Sequence, residues 1–319
     1  MHEFEKIVVI TKKTALEELV ERFNTREQAR FYIEHMGSSF DEYQSAHDVY
    51  KRAVDRFKSA LPQSLRAQFI ERSFLPTFTF GEHDLIVTMG PDGLVVNTAK
   101  YLVNQPLLAL NPDPQRIEGV LVPFEAESGG AVVALMTKDN FGVKKISMAK
   151  AQLNDGQTLY AVNDLFIGQS SHVSARYHLR FQRQVENQSS SGIIVSTGAG
   201  STGWLRSVVT GAARVMQAVN PAELAGVTLD DEAVDEYRFN WEAEHLVFSV
   251  REPFVSKVSG ARIVFGRIEA HEPLEITSNM PQNGVIFGDG VEEDYLDFNS
   301  GAVAHIGVAE RKLHLIVHV

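Results

Sequence analysis

Asp92 stands in the run Gly90-Pro91-Asp92-Gly93, a carboxylate inside a glycine turn. Before it, Leu85-Ile86-Val87 is a short, β-branched apolar run that reads as a buried strand; after it, Leu94, Val95, Thr98, Ala99 and Leu102 recur at helical spacing. A strand that ends in a glycine turn and opens directly into a helix points free backbone N–H groups above the sheet edge, which suits a phosphate. A carboxylate at the mouth of such an anion site either repels the phosphate or has a task there. It can hold a metal ion, or take a proton from an attacking hydroxyl. Taken alone, the four residues favour the plainer reading, an ordinary Pro-Asp-Gly turn.

A second strand-turn-helix pattern runs from Ser191 to Trp204, with Gly198, Gly200 and Gly203 among Ser196, Thr197, Ser201 and Thr202. Its glycines permit close backbone approach and its hydroxyls offer donors and acceptors to ribose, phosphate or a base edge. It has no P-loop lysine, so it is not a Walker A site. Trp204 could stack on a base; on composition alone a core role is favoured. A third candidate is Asn163-Asp164, a polar pair inside the apolar stretch Leu159 to Ile167, a pattern that also marks an edge position or a bulge.

These residues need a scaffold, and the chain supplies two kinds. Glu5 to Ile10 reads as a first strand, followed by helices over Ala15 to Phe23 (capped by Thr14), Arg26 to His35 and Asp41 to Leu61, and by a weaker helical segment from Leu65 to Ile70. Lys12 and Lys13 fall just past the first strand, where open α/β sheets bind ligands. Leu107 to Leu110 reads as the next strand, ending in Asn111, and Gly130 to Met136 as a further helix; this is the βαβ grammar of a parallel sheet. Beyond residue 142 short strand candidates dominate: Lys144 to Leu153, Thr158 to Ile167, Ala175 to Phe181, Gly192 to Ser196, His245 to Val250, Arg262 to Glu269, Leu274 to Thr277 and Val285 to Phe287. Helices over Thr202 to Val219 and Pro221 to Leu224 interrupt them. The expected fold is a Rossmann-like α/β domain over residues 1–142 and a mainly antiparallel β domain over 143–300. The strands Ala302 to Gly307 and Leu313 to Val319, within 301–319, would close one of the two.

Composition removes several classes of partner. A net charge of -11 argues against a general nucleic-acid or anionic-membrane surface, so phosphate binding must be local. The chain has no cysteine, which excludes disulfides, thiolate zinc sites and cysteine nucleophiles. No apolar run approaches membrane-spanning length, and the polar opening MHEFEK leads straight into a strand, so a cytoplasmic protein is expected. Asn187-Gln188-Ser189 matches a glycosylation sequon and reads as a polar turn.

In their order and spacing the three motifs resemble those of the NAD kinase family: a Gly-Gly-Asp-Gly-Thr loop, an Asn-Glu or Asn-Asp pair and a Gly/Thr-rich segment. Val8 to Lys12, Asn111 to Gly119, Phe166 to Ser171, Ser174 to Tyr177 and Phe248 to Pro253 look like the mitochondrial-type branch, so the resemblance spans nearly the whole chain. It implies an α/β domain followed by a β domain, with the active site in the crevice between them. It further implies ATP, NAD and a divalent cation such as Mg2+ as ligands, metal ligands unspecified, and a homodimer or higher homo-oligomer. Asp92 would be the general base for the adenosine 2'-hydroxyl, and Gly90, Gly93 and Lys12 would form the phosphate-donor loop. Asn111, Asn163, Asp164, Thr197, Gly200, Ser201, Thr202, Gly203, Trp204 and Ser207 would hold NAD.

Two departures stand in the donor loop. Pro91 replaces a glycine, removing a backbone N–H, and Leu94 replaces a threonine, removing a hydroxyl. If both groups normally touch phosphate, each lost charge-assisted bond costs roughly 1.5 to 3 kcal/mol. The resemblance therefore leaves two alternatives beside an NAD kinase: a related kinase acting on a lipid or sugar hydroxyl, and a catalytically silent NAD-binding regulator.

Overall fold

The computed structural model describes residues 4–138, 140–219 and 237–318. The chain divides into two units, residues 1–144 with 313–319, and residues 145–312.

In the first unit, β1 (Lys6–Thr11) is followed by α1 (Ala15–Phe23), α2 (Arg26–His35) and α3 (Phe40–Ala60), then β2 (Arg66–Glu71), β3 (Asp84–Met89), α4 (Asp92–Ala99), β4 (Pro106–Asn111), β5 (Phe124–Glu125) and α5 (Gly129–Met136). The strands run parallel in the order β2-β1-β3-β4, with Val8 beside Ile86 and Val87 beside Leu108. Every residue of β3 is buried, as expected of a central parallel strand covered on both faces. Val9, Val87 and Leu108 pack against Tyr50 and Phe57 of α3 and Val133 and Met136 of α5. Thr14 and Glu17 close a reciprocal capping box at the start of α1, where Thr14 was expected as a cap. The segment expected as a weak helix from Leu65 to Ile70 is instead strand β2. It pairs along its full length with β1, Lys6 beside Arg66 through Thr11 beside Glu71, and this ladder overrides a helical pattern that buries little.

The second unit holds most of β6 (Gly142–Leu153), then β7 (Thr158–Ala161), β8 (Asp164–Gln169), β9 (Ala175–Phe181), β10 (Gln184–Ser190), β11 (Ile193–Ser196), α6 (Trp204–Val219), β12 (His245–Val250), β13 (Phe265–Glu269), β14 (Leu274–Ser278), β15 (Gly284–Gly288), β16 (Val291–Asp297) and most of β17 (Val303–Val317). One sheet is antiparallel throughout, in the order β13-β12-β11-β8-β15-β16. It faces β9, β14 and β17 across a single apolar core in which Ile167, Val195 and Phe248 meet Leu179, Ile276 and Ile306.

Three expectations change here. Thr158 to Ile167 is two strands, because the chain turns at Val162 and Asn163. The sequon segment lies in β10 rather than a turn, with Gln188 buried and its amide hydrogen-bonded to Glu186 and the Ile263 carbonyl. The two closing strands form one, β17, whose last residues return to the first unit and lie parallel to Pro106 and Leu107. Pro221 to Leu224 lies outside the described residues. No helix among the described residues is long and apolar enough to cross a membrane.

Candidate active site

The turn after β3 delivers Asp92 to the first residue of α4, and its carboxylate does not cap that helix. It reaches the loop after β4 instead: Val120 N–H donates to Oδ2 at 2.9 Å and Leu121 N–H to Oδ1 at 3.0 Å. A side chain at Gly119 would put its Cβ 2.3 Å from Val122 Cγ2 and 2.6 Å from Asp92 Oδ1, so only glycine lets this loop close on the carboxylate. The loop is stiffened from within. Asn111 donates from Nδ2 to the Ile117 carbonyl at 2.9 Å and accepts from Asp113 N–H at 3.0 Å, and Asp113 is ion-paired to Arg116 at 2.7 Å. Asn111, expected as an NAD contact, thus uses both ends of its amide inside its own loop.

The N–H of Gly90 goes to the Leu110 carbonyl, that of Leu94 goes to the Pro91 carbonyl, and Pro91 has none. Asp92 and Gly93 hold the N–H groups that this turn could offer to a phosphate. Leu94 is buried beside the turn: a Cβ added at Gly90 would stand 2.9 Å from its Cδ2. Lys12 does come to the loop: its Cδ would lie 3.7 Å from that same Cβ, and its backbone N–H is fixed by Tyr50 Oη at 2.9 Å while that hydroxyl donates to the Met89 carbonyl.

In the second unit the turn at Val162 to Asp164 is held from two sides. Thr197 N–H donates to the Asn163 carbonyl at 2.9 Å and the Thr197 hydroxyl to the Val162 carbonyl. Gly200 lies so close that a Cβ would stand 2.1 Å from the Asn163 oxygen. From the other side the Asp289 carboxylate accepts from the N–H groups of Val162, Asn163 and Asp164. The Ser201 hydroxyl donates to the Gly198 carbonyl and that of Ser207 to the Gly203 carbonyl. Thr197, Ser201 and Ser207 therefore spend their hydroxyls on the turn itself. Among the described residues, the Asn163 amide, the Asp164 carboxylate and the Thr202 hydroxyl have no hydrogen-bond partner, and these are the groups the segment can present to a ligand. Burial first, and the Asp289 charge second, push the Asp164 carboxyl up to about 7.

Trp204 begins α6 with its ring stacked on Phe166, 5.8 Å between centroids at 10°, and with the Arg251 guanidinium 5.4 Å from its centroid. With Phe287, Tyr295 and His172 they line a cavity of about 930 Å3. Asn163, Asp164 and Thr197 do not line it. Phe166 and Arg251 lie in the segments Phe166 to Ser171 and Phe248 to Pro253 that carry the resemblance but are not among the expected site residues, and Asp289 is not singled out by the sequence at all. The signal Asp289 carries is the pair Asp289-Gly290, suited to a tight hairpin turn.

The rat mitochondrial NAD kinase 2 is 22% identical to this chain over 319 residues, covering 79% of the chain and 74% of the relative. The human protein is 21% identical, with 79% and 72% covered. The chain is similar to NAD kinases over most of its length. Its fold resembles that of solved NAD kinases. The yeast NADH kinase complexed with NADH superposes with a TM-score of 0.60, covering 99% of this chain and 84% of that one at 14% identity. An NAD kinase from Archaeoglobus fulgidus in complex with ATP gives 0.54, covering 97% and 92%, also at 14% identity. No family model matches the chain.

An NAD kinase implies a divalent cation. Among the described residues no three Asp, Glu or His side chains gather into a metal cage, and each Asp92 oxygen accepts one N–H and keeps a free lone pair. The described residues form no preassembled cage; Asp92 is the carboxylate at the turn that would help hold an ion arriving with the phosphates, and no step is routed through one. The clamp on Asp92 has a direct consequence for stability. Gly119→Ala must push the loop off the carboxylate or displace Val122, which costs about 1 to 3 kcal/mol. Urea unfolding of the variant checks this, and unchanged stability contradicts the clamp.

Proposed function

We propose that this protein is an NAD kinase that transfers the γ-phosphoryl group of ATP to the adenosine 2'-hydroxyl of NAD. The observation that carries the reading is the Asn163-Asp164 turn. Thr197 and Asp289 fix that turn by six hydrogen bonds to its backbone while leaving the amide and carboxylate of the pair without a hydrogen-bond partner among the described residues. A ribose offers hydroxyl donors and acceptors that match such a pair. In this reading Asn163, Asp164 and Thr202 orient the ribose, Trp204 stacks on a ring of the dinucleotide, and Lys12 offsets phosphate charge beside the turn at Gly90 and Gly93. Asp92 orients the 2'-hydroxyl and accepts its proton as the oxygen attacks the γ-phosphorus; the bond to the β–γ bridging oxygen breaks and ADP leaves. A cation, if used, would be carried in with the phosphates.

Purified protein incubated with ATP, Mg2+ and either NAD or NADH tests this, with NADP or NADPH formation as the readout. The expected result is turnover with at least one of the two. Product formation with neither, or phosphorylation of a lipid or sugar hydroxyl instead, overturns the reading. NAD should also bind without ATP, and Asn163→Ala should weaken that binding by on the order of 1 to 3 kcal/mol. Calorimetry that detects no binding to the wild type at millimolar NAD removes the acceptor-side assignment.

A further inference from the structure

The hairpin between β15 and β16 ends in a two-residue turn, with Gly288 paired to Val291 and with Asp289 and Gly290 both left-handed at φ 58° and 69°. Two such residues in succession make the primed turn that suits the twist of antiparallel strands, and asparagine serves its first position as well as aspartate does. Asp289 uses the position for something a turn does not need. Its Oδ2 accepts from Val162 N–H at 3.0 Å, and its Oδ1 accepts from Asn163 N–H at 2.7 Å and from Asp164 N–H at 3.4 Å. Its own N–H returns to the Asp164 carbonyl at 2.9 Å. The arrangement places a second carboxylate beside the buried Asp164, which is electrostatically unfavourable. A neutral turn residue would avoid that repulsion but would offer one acceptor oxygen where three N–H groups converge.

We propose that Asp289 is a positioning residue for the acceptor nucleotide, fixing the main chain of Val162 to Asp164 so that the Asn163 amide and the Asp164 carboxylate meet the ribose in one orientation. The inference rests on the reading of Asn163-Asp164 as the acceptor contact. Asp289 touches no reacting atom; it acts through the turn it holds, opposite the Thr197 hydroxyl and N–H that hold the same turn by its carbonyls.

Asp289→Asn tests it, because asparagine keeps the left-handed turn but exchanges one acceptor oxygen for an NH2 that faces N–H groups. The expected result is a KM for the dinucleotide raised about tenfold or more, with kcat within about threefold and the KM for ATP unchanged. A general structural role would instead lower kcat through loss of active protein and leave the dinucleotide KM alone. That outcome, or unchanged kinetics, overturns the inference. If Asp289→Asn does not fold, Gly290→Ala strains the same turn without removing the carboxylate, and about a threefold or larger rise in the dinucleotide KM is expected; an unchanged KM overturns the inference. The wild-type arm separates the two levels: no product from the wild type removes the kinase reading and this inference with it. A normal wild type with an unaffected Asp289→Asn removes the inference alone.

Discussion

Asp92→Asn is expected to lower kcat by about a hundredfold or more, equivalent to about 2.7 kcal/mol of transition-state stabilisation, while NAD affinity changes little. A hydroxyl is a poor nucleophile near neutral pH, and a carboxylate beside it can orient it and take its proton late in phosphoryl transfer. Asparagine keeps the size and one acceptor oxygen but loses the charge and the second acceptor. Both acceptors are in use, one by Val120 N–H and one by Leu121 N–H, so the substitution also turns one bond into a donor facing a donor. A stability loss of about 1 to 3 kcal/mol should accompany the loss of turnover. The competing reading, a carboxylate that only clamps the loop, predicts the same stability loss with nearly normal turnover well below the melting temperature. Melting temperature, NAD affinity and NADP formation measured on one preparation separate the two, and near-wild-type turnover sinks the catalytic role. Gly119→Ala is the useful control, since it disturbs the loop and leaves the charge in place.

Where packing repeats a pattern, the sequence was readable. Leu85-Ile86-Val87 forms part of the buried strand β3, and Thr14 with Glu17 starts α1, because burial and capping leave local signatures. The edge strand β2 was read as a helix because half of its residues face solvent and only its pairing with β1 defines it. Leu94 is read as a hydroxyl lost from the phosphate site; its buried side chain lies beside Gly90, so Leu94→Thr is also expected to cost stability through lost burial. Among the hydroxyl-rich residues 196–207 composition could not distinguish groups that hold the turn, such as Thr197 and Ser201, from groups that face outward, such as Thr202. The difference depends on carbonyls more than thirty positions away for Thr197 and three for Ser201. Asp289 was invisible for the same reason: its partners at 162–164 lie over a hundred residues earlier.

Asp164→Asn should make the protein more stable at pH 8 than the wild type, and the gap should close as the pH is lowered towards 4. Asp164 is 9% exposed, and its carboxyl is raised from an ordinary value of 3.8 to about 7 by burial and by the neighbouring Asp289. The folded chain therefore binds this proton more tightly than the unfolded chain. Below pH 3.8 the group is protonated in both states and costs nothing. As pH rises from there to about 7 the unfolded chain ionises freely, while the folded chain must either keep its proton or bury a charge, so stability falls across that window. Above it the loss is complete, at up to about 4 kcal/mol. Asparagine carries no proton to lose and escapes the penalty. Urea unfolding of both proteins between pH 4 and 8 measures the gap. A difference that does not vary with pH, or a variant less stable at pH 8, rejects the assignment. The same substitution should weaken NAD binding, because an amide replaces the carboxylate offered to the ribose. A gain in stability together with a loss of affinity would identify Asp164 as a group held in an unfavourable site for the sake of its ligand.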